Sequence, residues 1–308
     1  MTNLSILRHH CFADHIVPLG HPERPDRIKV INAMLDDDFA DIPQSECPLA
    51  ETEHLRLVHS AAYIDAIVAA APSDGMISLD GDTHMSEGSL NAALAGAGGA
   101  VEATQQVLTG GNDIERVFVA SRPPGHHAEP EQAMGFCLFS NAAIAAKYAI
   151  DTHGLDRVAV VDFDVHHGNG TQAAFWSDSH CVFASSHQMP LYPGTGAKSE
   201  TGVGNIFNAP IDPGTDGAAI TQIWRDHLLP QVAAMAPQLI IISAGFDAHE
   251  NDPLGGLRMQ DVDFGNITTM IRDLADQHAD GRIVSILEGG YDLDGLRTSA
   301  AAHLNALR

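Results

Sequence analysis

Short apolar runs rich in Val, Ile and Leu alternate along this chain with longer stretches rich in Ala, and this alternation restricts the fold more than any other feature. It predicts a parallel sheet with helices on both faces. The chain has 308 residues, near the upper limit for one hydrophobic core. Because no repeat or linker divides it, we expect a single domain over residues 1–308. The predicted fold class is α/β, a three-layer αβα arrangement around a central, mostly parallel sheet.

The apolar runs and the Ala-rich stretches give approximate bounds for the individual elements. We predict strands over residues 116–121, 158–164, 181–185, 239–244 and 283–288. Helices are predicted over residues 89–108, 141–152, 218–236 and 262–279.

Unusual polar residues follow four of the five predicted strands. In open parallel α/β sheets, ligands bind outside the carboxyl ends of the strands, so four polar segments at four such ends predict one common site. The four segments are Pro123-Pro124-Gly125-His126-His127, Asp162-Phe163-Asp164-Val165-His166-His167-Gly168, Gly245-Phe246-Asp247 and Gly289-Gly290-Tyr291.

Asp162 and Asp164 are expected on the same face of their strand because side chains alternate, and His166 continues the same parity. Two adjacent carboxylates repel each other unless a cation or a proton lies between them. We therefore interpret Asp164, His166 and Asp247 as ligands of a divalent metal ion with one position open for water. Zinc suits these ligands, and Fe(II), Mn(II) and Co(II) fit them too. The alternative is that the carboxylates cap the next turn and that His166 is a hydrogen-bonded loop histidine.

A metal-dependent amide hydrolase also needs groups that move protons. The adjacent His126 and His127 are suited to divide this task between the attacking water and the departing amine. Asp162, if it does not bind the metal, would orient one of them. Tyr291 follows two glycines and is predicted to stabilise the developing oxyanion. Taken alone, Tyr291 would fit a buried aromatic residue after a glycine turn better than a catalytic one.

The charge and the cysteines exclude several other functions. The chain has 40 acidic and 16 basic side chains, for a formal net charge of −24. Such a field repels phosphate backbones and anionic membranes, so we expect no direct binding of nucleic acid or membrane. The four cysteines contain no C-x-x-C pair, which argues against a disulfide framework. With no secretory signal and no apolar run of membrane-spanning length, a cytoplasmic location is predicted.

Together these motifs resemble the histone deacetylase family, whose members share the arginase–deacetylase fold. Residues 166–171 have the sequence His-His-Gly-Asn-Gly-Thr, and Asp82-Thr83 lies upstream. In these two segments the chain is similar to the class II branch and to bacterial histone deacetylase-like amidohydrolases. The matching segments run in family order along nearly the whole chain. They are His21-Pro22-Glu23-Arg24-Pro25, Arg122-Pro123-Pro124-Gly125-His126-His127, Gly135-Phe136-Cys137, residues 162–171, Tyr192-Pro193-Gly194-Thr195-Gly196, Ala244-Gly245-Phe246-Asp247 and residues 287–291.

The resemblance implies a role for each matching residue. It implies zinc on Asp164, His166 and Asp247, with His127 as general base, His126 as its partner hydrogen-bonded to Asp162, and Tyr291 as the carbonyl-polarising group. It implies that Asp82, Gly135, Phe136, Tyr192 and Leu254 bind the substrate, with the aromatic residues lining an acyl-lysine tunnel. It also implies a potassium ion near Asp162, Asp164, His166, Ser185 and Ser186. The sequence departs from class I members at Asn169, where they carry an aspartate, so the charge behind His127 is weaker.

The leading hypothesis is a zinc-dependent deacylase acting on acyl-lysine in proteins or peptides. A rival is the hydrolysis of small acetylated amines such as acetylpolyamines, although Leu254 replaces the glutamate that some polyamine-specific relatives use. An arginase-like enzyme is disfavoured, because Ala248 and His249 after Asp247 provide no ligands for a second manganese ion. A catalytically silent acyl-lysine-binding protein and a homo-oligomer are further alternatives.

Overall fold

A computed structural model of the protein describes residues 3–110 and 114–308. The strands in these ranges are β1 (Leu4–Arg8), β2 (Gln44–Glu46), β3 (Met76–Ser78), β4 (His84–Ser86), β5 (Arg116–Val119), β6 (Val158–Asp162), β7 (Cys181–Gln188), β8 (Ile206–Ile211), β9 (Leu239–Ala244) and β10 (Ile283–Leu287). The α-helices are α1 (Asp26–Asp38), α2 (Thr52–Leu55), α3 (Ala61–Ala70), α4 (Ser89–Thr109), α5 (Asn141–His153), α6 (Asn169–Phe175), α7 (Gly217–Ile223), α8 (Leu229–Ala234), α9 (Asp261–His278) and α10 (Leu293–Leu307).

Within the described ranges, eight of these strands form one sheet in the order β2-β1-β5-β10-β9-β6-β7-β8. Every neighbouring pair in this sheet is parallel. The other two strands, β3 and β4, form a separate antiparallel hairpin. The prediction of an α/β fold around a central, mostly parallel sheet is confirmed.

Helices cover both faces of the sheet. On β5, Val119 packs against Gly99 of α4. The adjacent residue, Phe118, contacts the ring of His303 in α10, with ring centroids 6.1 Å apart. Because successive residues of a strand point to opposite faces, α4 and α10 lie on opposite sides of the sheet. Since α5 packs beside α4 and α9 beside α10, the three-layer αβα architecture is also confirmed.

The central strands are buried over their whole lengths. Every residue of β5, β6, β9 and β10 is buried. A parallel strand covered on both faces reads as a continuous apolar run, as β9 does with its three consecutive isoleucines. Burying one such side chain contributes about 1.5–3 kcal/mol to stability, and truncating Ile241 to alanine would cost about 2–5 kcal/mol. This rigid layer fixes the loops that leave its carboxyl edge.

Strand ends near the predicted site differ from the apolar pattern. β6 ends at Asp162 rather than at residue 164. The reason is that the N–H of Asp164 donates to Asp162 Oδ1 at 3.1 Å instead of continuing the ladder. β5 and β10 likewise end before residues 121 and 288, whereas β7 continues beyond residue 185 to Gln188. Apolar character alone thus locates these strands but not their last residues.

The helix predicted over residues 218–236 is divided in the structure. A π-helical turn, Trp224–Leu228, separates α7 from α8, and Pro230 lies in the first turn of α8. Proline has no N–H to donate and its ring clashes with the carbonyl four residues earlier, which prevents a regular α-helix here. No helix in residues 3–110 or 114–308 combines the length and the apolar character that crossing a bilayer requires.

Candidate metal centre and active site

The loops after four neighbouring strands meet at one edge of the sheet. β5, β10, β9 and β6 are consecutive and parallel, so their carboxyl ends lie together. The segments that follow them carry His126, Tyr291, Asp247 and Asp164 respectively. The structure brings the four polar segments into one region, as expected for ligand sites in open parallel sheets.

Asp164, His166 and Asp247 form a buried group whose potential ligand atoms all lie within 4.8 Å of one another. His166 Nδ1 lies 3.1 Å from Asp164 Oδ1 and 3.1 Å from Asp247 Oδ2. The backbone N–H of His166 donates to Asp164 Oδ1 at 2.9 Å. A hydrogen-bonded turn after β6, rather than the continued strand on which the prediction relied, therefore directs these side chains to one point.

Two glycines leave room for the carboxylates. A Cβ atom at Gly289 would overlap Asp247 Oδ2 and Asp164 Oδ2, and one at Gly245 would overlap Asp164 Oδ2. The N–H of Gly289 also donates to Asp164 Oδ2 at 2.9 Å. Only glycine at both positions lets the two carboxylates converge.

The chemistry of this group fits a divalent cation. Two carboxylates and one imidazole are ligands that zinc takes in proteins. In residues 3–110 and 114–308, Asp164 and Asp247 form ion pairs with histidines and none with lysine or arginine. Burial alone would lower the pKa of His166, but hydrogen bonds to Asp164 and Asp247 raise it to about 10. The site thus strongly favours positive charge between its two carboxylates.

His126 is held by carboxylates. Its Nδ1 lies 3.0 Å from Asp162 Oδ2, and its Nε2 lies 3.8 Å from Asp164 Oδ2. Since an ionised carboxylate only accepts, His126 Nδ1 carries a proton. Burial alone would lower the pKa of His126, but Asp164 and Asp162 raise it well above the usual value. This imidazole therefore favours the charged form.

His127 lies in a different environment from its neighbour. Its Nδ1 lies 2.8 Å from Asn169 Oδ1, while Asn169 Nδ2 donates to Glu129 Oε1 at 2.7 Å. Because the Glu129 carboxylate accepts, the amide is oriented with its oxygen toward His127. His127 Nδ1 then carries the proton and leaves Nε2 with a free lone pair. Burial lowers the pKa of His127 well below its usual value, and the rings of His126 and His166 lower it further.

Tyr291 is 8% exposed and lies beside Phe136, with ring centroids 5.8 Å apart. The guanidinium of Arg27 lies over the Tyr291 ring, 4.8 Å from its centroid. Arg27 also donates to the carbonyls of Glu288 at 2.5 Å and Gly290 at 2.6 Å, so it holds the segment that carries the phenol. Burial raises the pKa of Tyr291 well above its usual value, which keeps the hydroxyl protonated.

A cavity of about 240 Å³ brings together the residues predicted to bind the substrate. Its lining consists of Asp82, Gly135, Phe136, Tyr192 and Leu254 together with His127, His166, Leu191 and Tyr291. Gly135 adopts a φ of 56°, and a Cβ atom there would overlap the His127 ring, so this part of the wall requires glycine. An apolar wall with a few convergent polar groups is typical of ligand sites.

The residues predicted to hold potassium lie at the carboxyl ends of β6 and β7. Asp162 pairs with Ser185 across these strands. Ser185 Oγ forms a hydrogen bond of 2.9 Å with His187 Nδ1, and Ser186 Oγ accepts one of 2.9 Å from Trp224 Nε1. Both hydroxyls therefore already have protein partners, and the potassium site stays a prediction.

Glu288 is a buried residue to which the sequence analysis gives no role. Its Oε2 accepts the N–H groups of Gly125 at 2.6 Å and His126 at 3.2 Å, and its Oε1 accepts the hydroxyl of Ser243 at 3.1 Å. It thereby ties the loop of the two histidines to β9 and β10. The signal is present in the sequence, because an acidic residue directly after an apolar strand is the same feature that identifies Asp162.

A second group of potential metal ligands, His9, His10 and Glu46, lies at the surface. His9 Nδ1 accepts the N–H of Cys11 at 3.1 Å, so one ring nitrogen already caps a short helical turn. Of these two groups in the described part of the chain, the buried one adjoins the cavity that contains Tyr291.

Comparison with known proteins decides the family. A family model described as the histone deacetylase domain matches residues 21–307. The chain belongs to the histone deacetylase family. The resemblance inferred from the motifs is confirmed, and the chain is a hydrolase of the deacetylase type. Histone deacetylases are generally metal-dependent, in agreement with the buried group of Asp164, His166 and Asp247.

Histone deacetylase relatives differ in how much of their length this chain spans. Type-2 histone deacetylase 2 of Dictyostelium discoideum is 36% identical over 349 residues, covering 97% of this chain but 20% of that protein. The histone deacetylase-like amidohydrolase of Pseudomonas aeruginosa is 39% identical over 279 residues, covering 88% of this chain and 73% of that protein. The crystal structure of the HDA15 HD domain matches with a TM-score of 0.91 at 33% identity, covering 98% of this chain and 90% of that one.

Proposed function

We propose that the chain is a zinc-dependent deacylase that hydrolyses the amide of acyl-lysine in proteins or peptides. The observation that carries this proposal is the convergence of Asp164, His166 and Asp247 beside a cavity that also contains His127 and Tyr291. A metal-binding group, a base and a hydrogen-bond donor around one cavity are what metal-assisted amide hydrolysis requires.

Asp164, His166 and Asp247 would hold the metal ion. Their oxygen and nitrogen donors favour zinc and also accept Fe(II), Mn(II) or Co(II). When bound, such an ion supplies Lewis-acid chemistry, polarising a carbonyl and lowering the pKa of water to about 7. Three protein ligands are typical of catalytic zinc sites, whereas structural sites usually have four.

His127 is the group that accepts the proton of the attacking water. Its Nδ1 proton is directed at Asn169 Oδ1, so Nε2 has the lone pair that a general base needs. An amide at position 169, in place of a carboxylate, adds no negative charge that would favour the protonated ring. The neutral form of His127 is therefore the resting form.

His126 places positive charge next to the reacting atoms and is suited to deliver a proton to the departing amine. Asp162 fixes the orientation of its ring through Nδ1. In the second half of the reaction the amide nitrogen must gain a proton to leave as a neutral amine, and the charged imidazole of His126 supplies that proton and becomes neutral.

Tyr291 donates a hydrogen bond to the carbonyl oxygen as negative charge develops on it. Phe136 and Tyr192 flank the aliphatic part of the acyl-lysine side chain, Leu254 lies at the rim and Asp82 holds the substrate backbone. The cavity supports this assignment because all five residues line it. A tunnel of this kind also excludes bulk water, which strengthens each electrostatic contact inside it.

The proposal includes a structural potassium ion near Asp162, Ser185 and Ser186, with Asp164 and His166. An ion that binds only the folded state stabilises it by RT ln(1 + c/Kd), where c is the free ion concentration, so the stabilisation increases with that concentration. Exchange of potassium for a larger organic cation in the buffer should therefore lower the thermal midpoint while zinc content stays constant. An unchanged midpoint over a wide potassium range contradicts this part of the proposal.

The substrate class is tested with a panel of acyl-lysine peptides and acetylated polyamines, assayed on metal-stripped and zinc-restored protein. We expect hydrolysis of the acetyl-lysine peptide only after zinc is restored. A clear preference for acetylspermidine or acetylputrescine would replace the acyl-lysine assignment with a small-amine one. Binding of the peptide without turnover of any substrate would instead identify a silent acyl-lysine-binding protein.

A further inference from the structure

Asp252, in the loop after β9, is 6% exposed, and its carboxylate accepts three backbone hydrogen bonds from two separate segments. Oδ2 accepts the N–H of Tyr291 at 2.6 Å and that of Asp292 at 3.2 Å. Oδ1 accepts the N–H of Leu254 at 2.9 Å. One buried carboxylate therefore connects the segment of the phenol to the segment that forms the rim of the cavity.

The segment that carries Tyr291 is held from two sides. On one side, Arg27 donates to the carbonyl oxygens of Glu288 and Gly290. On the other side, Asp252 accepts the N–H groups of Tyr291 and Asp292. Gly290 has a φ of 120°, which residues with a side chain rarely adopt. Glycine has access to a wide range of other backbone conformations. Without a fixed acceptor for the Tyr291 N–H, this glycine would allow several orientations of the following ring.

We propose that Asp252 is a positioning residue that determines where the Tyr291 hydroxyl meets the carbonyl of the substrate. The inference rests on the proposed function of Tyr291. A donor to an oxyanion acts only at about 2.7–3.1 Å from the oxygen. A displacement of about 1 Å can cost on the order of 10²-fold in rate. The two oxygens of Asp252 accept backbone N–H groups from both segments at 2.6–3.2 Å, so this side chain is suited to set such a position.

The first variant is Asp252→Asn. An amide has one acceptor oxygen, and its NH₂ group would face a backbone N–H, so it cannot accept from both segments at once. We expect kcat to fall about 10-fold to 100-fold, with KM and zinc content unchanged. A rise in KM with kcat unchanged would assign the role of Asp252 to Leu254 and the rim, and would overturn the proposal.

A double-mutant cycle with Tyr291→Phe separates positioning from a general structural effect. If Asp252 acts through the hydroxyl, adding Asp252→Asn to Tyr291→Phe causes no further loss of kcat. If the two fold-losses of kcat instead multiply in the double variant, the positioning role of Asp252 is wrong, while the proposed function of Tyr291 is unaffected. An unchanged kcat in Tyr291→Phe by itself contradicts the proposed function of Tyr291, so the two failures are distinguishable.

Asp292→Asn is the matched control. It makes the same chemical change one residue from Tyr291, where the side chain caps α10 by accepting the N–H of Gly295 at 2.8 Å. Asparagine caps helices as well as aspartate does, so kcat should stay at the wild-type value. Should Asp252→Asn fail to fold, the double-mutant cycle is repeated with Asp252→Glu, which keeps both acceptor oxygens but moves them. Its loss of kcat must also disappear in the Tyr291→Phe background, or the proposal is wrong.

Discussion

Two groups of buried charges adjoin the segment of Tyr291, and they are compensated in different ways. The arginine cluster consists of Glu23, Arg27 and Arg122 with His15. The carboxylate cluster consists of Asp162, Asp164, Asp247 and Glu288. In the arginine cluster the chain supplies its own counter-charges. In the carboxylate cluster it supplies histidines and glycines, which leaves a need for positive charge that an external cation can meet.

The arginine cluster has the contacts of a structural ion network. Glu23 Oε1 accepts Arg122 Nε at 2.6 Å and Arg27 Nη1 at 3.1 Å. Arg122 also donates to the carbonyl of Phe12 at 2.7 Å. Burial alone would raise the pKa of Glu23, but Arg122, His15 and Arg27 lower it to about 2. A buried carboxylate is thus kept ionised by the protein itself.

The carboxylate cluster lacks such partners among the described residues. Its ion pairs are with His126 and His166, and the glycines at 245 and 289 are what allow Asp164 and Asp247 to approach each other. The carboxylates of the two clusters are therefore equally buried but differ in how their negative charge is balanced. In the arginine cluster the buried carboxylate belongs to an ion network within the fold, whereas in the carboxylate cluster it belongs to the proposed metal site.

Loss of a proposed metal ligand from the carboxylate cluster should have the largest effect on activity. Asp164→Asn removes a ligand and one negative charge, so we expect turnover to fall by about 10³-fold or more. The measurement is kcat/KM on an acetyl-lysine peptide with zinc in the assay. Turnover close to wild type would mean that the carboxylate cluster, like the arginine cluster, is only structural.

Loss of the carboxylate from the arginine cluster should act on stability. Glu23→Gln leaves Arg27 and Arg122 buried without their counter-charge, which should lower the free energy of unfolding by about 3–5 kcal/mol. Urea unfolding of the zinc-loaded protein measures this. Asp38→Asn, which breaks the exposed pair with Arg297, is the control and should change stability by less than about 1 kcal/mol. Equal effects of the two variants would remove the distinction between buried and exposed pairs on which the comparison depends.

Tyr291 lies where the two clusters meet, and its hydroxyl belongs to neither. Tyr291→Phe keeps the ring against Arg27 and Phe136 but removes the donor, so kcat should fall about 10²–10³-fold. Unfolding free energy and zinc content should stay at wild-type values. A large loss of stability would show that the residue serves the arginine cluster rather than the reaction.

His303 is a buried titratable residue that belongs to neither cluster and has no counter-charge beside it among the described residues. Burial lowers its pKa to about 3, and its ring is hydrogen-bonded to Thr268 and Ser285. Its folded pKa lies below the unfolded value of about 6.5, so the unfolded chain gains a proton first and stability falls as pH decreases below that value. Between about pH 7 and about pH 5 this group should cost about 2 kcal/mol.

The matched variant for this prediction is His303→Gln, compared by urea unfolding at both pH values. The variant should lose less stability than wild type on acidification, by about the same 2 kcal/mol. Equal losses in the two proteins would place the acid sensitivity in the charged clusters instead.

The sequence predicts the carboxylate cluster better than the arginine cluster for a physical reason. Asp164 and Asp247 each follow an apolar strand, and parallel strands must bring their carboxyl ends together. Glu23 and Arg122 are 99 residues apart and meet only because the loops before α1 and after β5 pack together. No local pattern marks such a pair.

The detailed contacts at the site were predictable only in part. Strand parity predicts that Asp164 and His166 lie together, but the structure joins them through a turn in which the N–H of His166 donates to Asp164 Oδ1. The contact of His127 with Asn169 came from family resemblance, since spacing alone gives no reason for it. The role of Asp252 depends on backbone N–H groups, which carry no signal in the sequence.

Metal content is the decisive measurement. Elemental analysis of wild type and of Asp247→Asn, each loaded with zinc and then freed of excess by gel filtration, compares the intact and the broken carboxylate cluster. We predict one tightly held ion per wild-type chain, a loss of that ion in the variant and no loss in Glu23→Gln protein that remains folded. Wild-type protein that retains no metal, or an Asp247→Asn variant that retains as much as wild type, would contradict the assignment of Asp164, His166 and Asp247 as the metal-binding group.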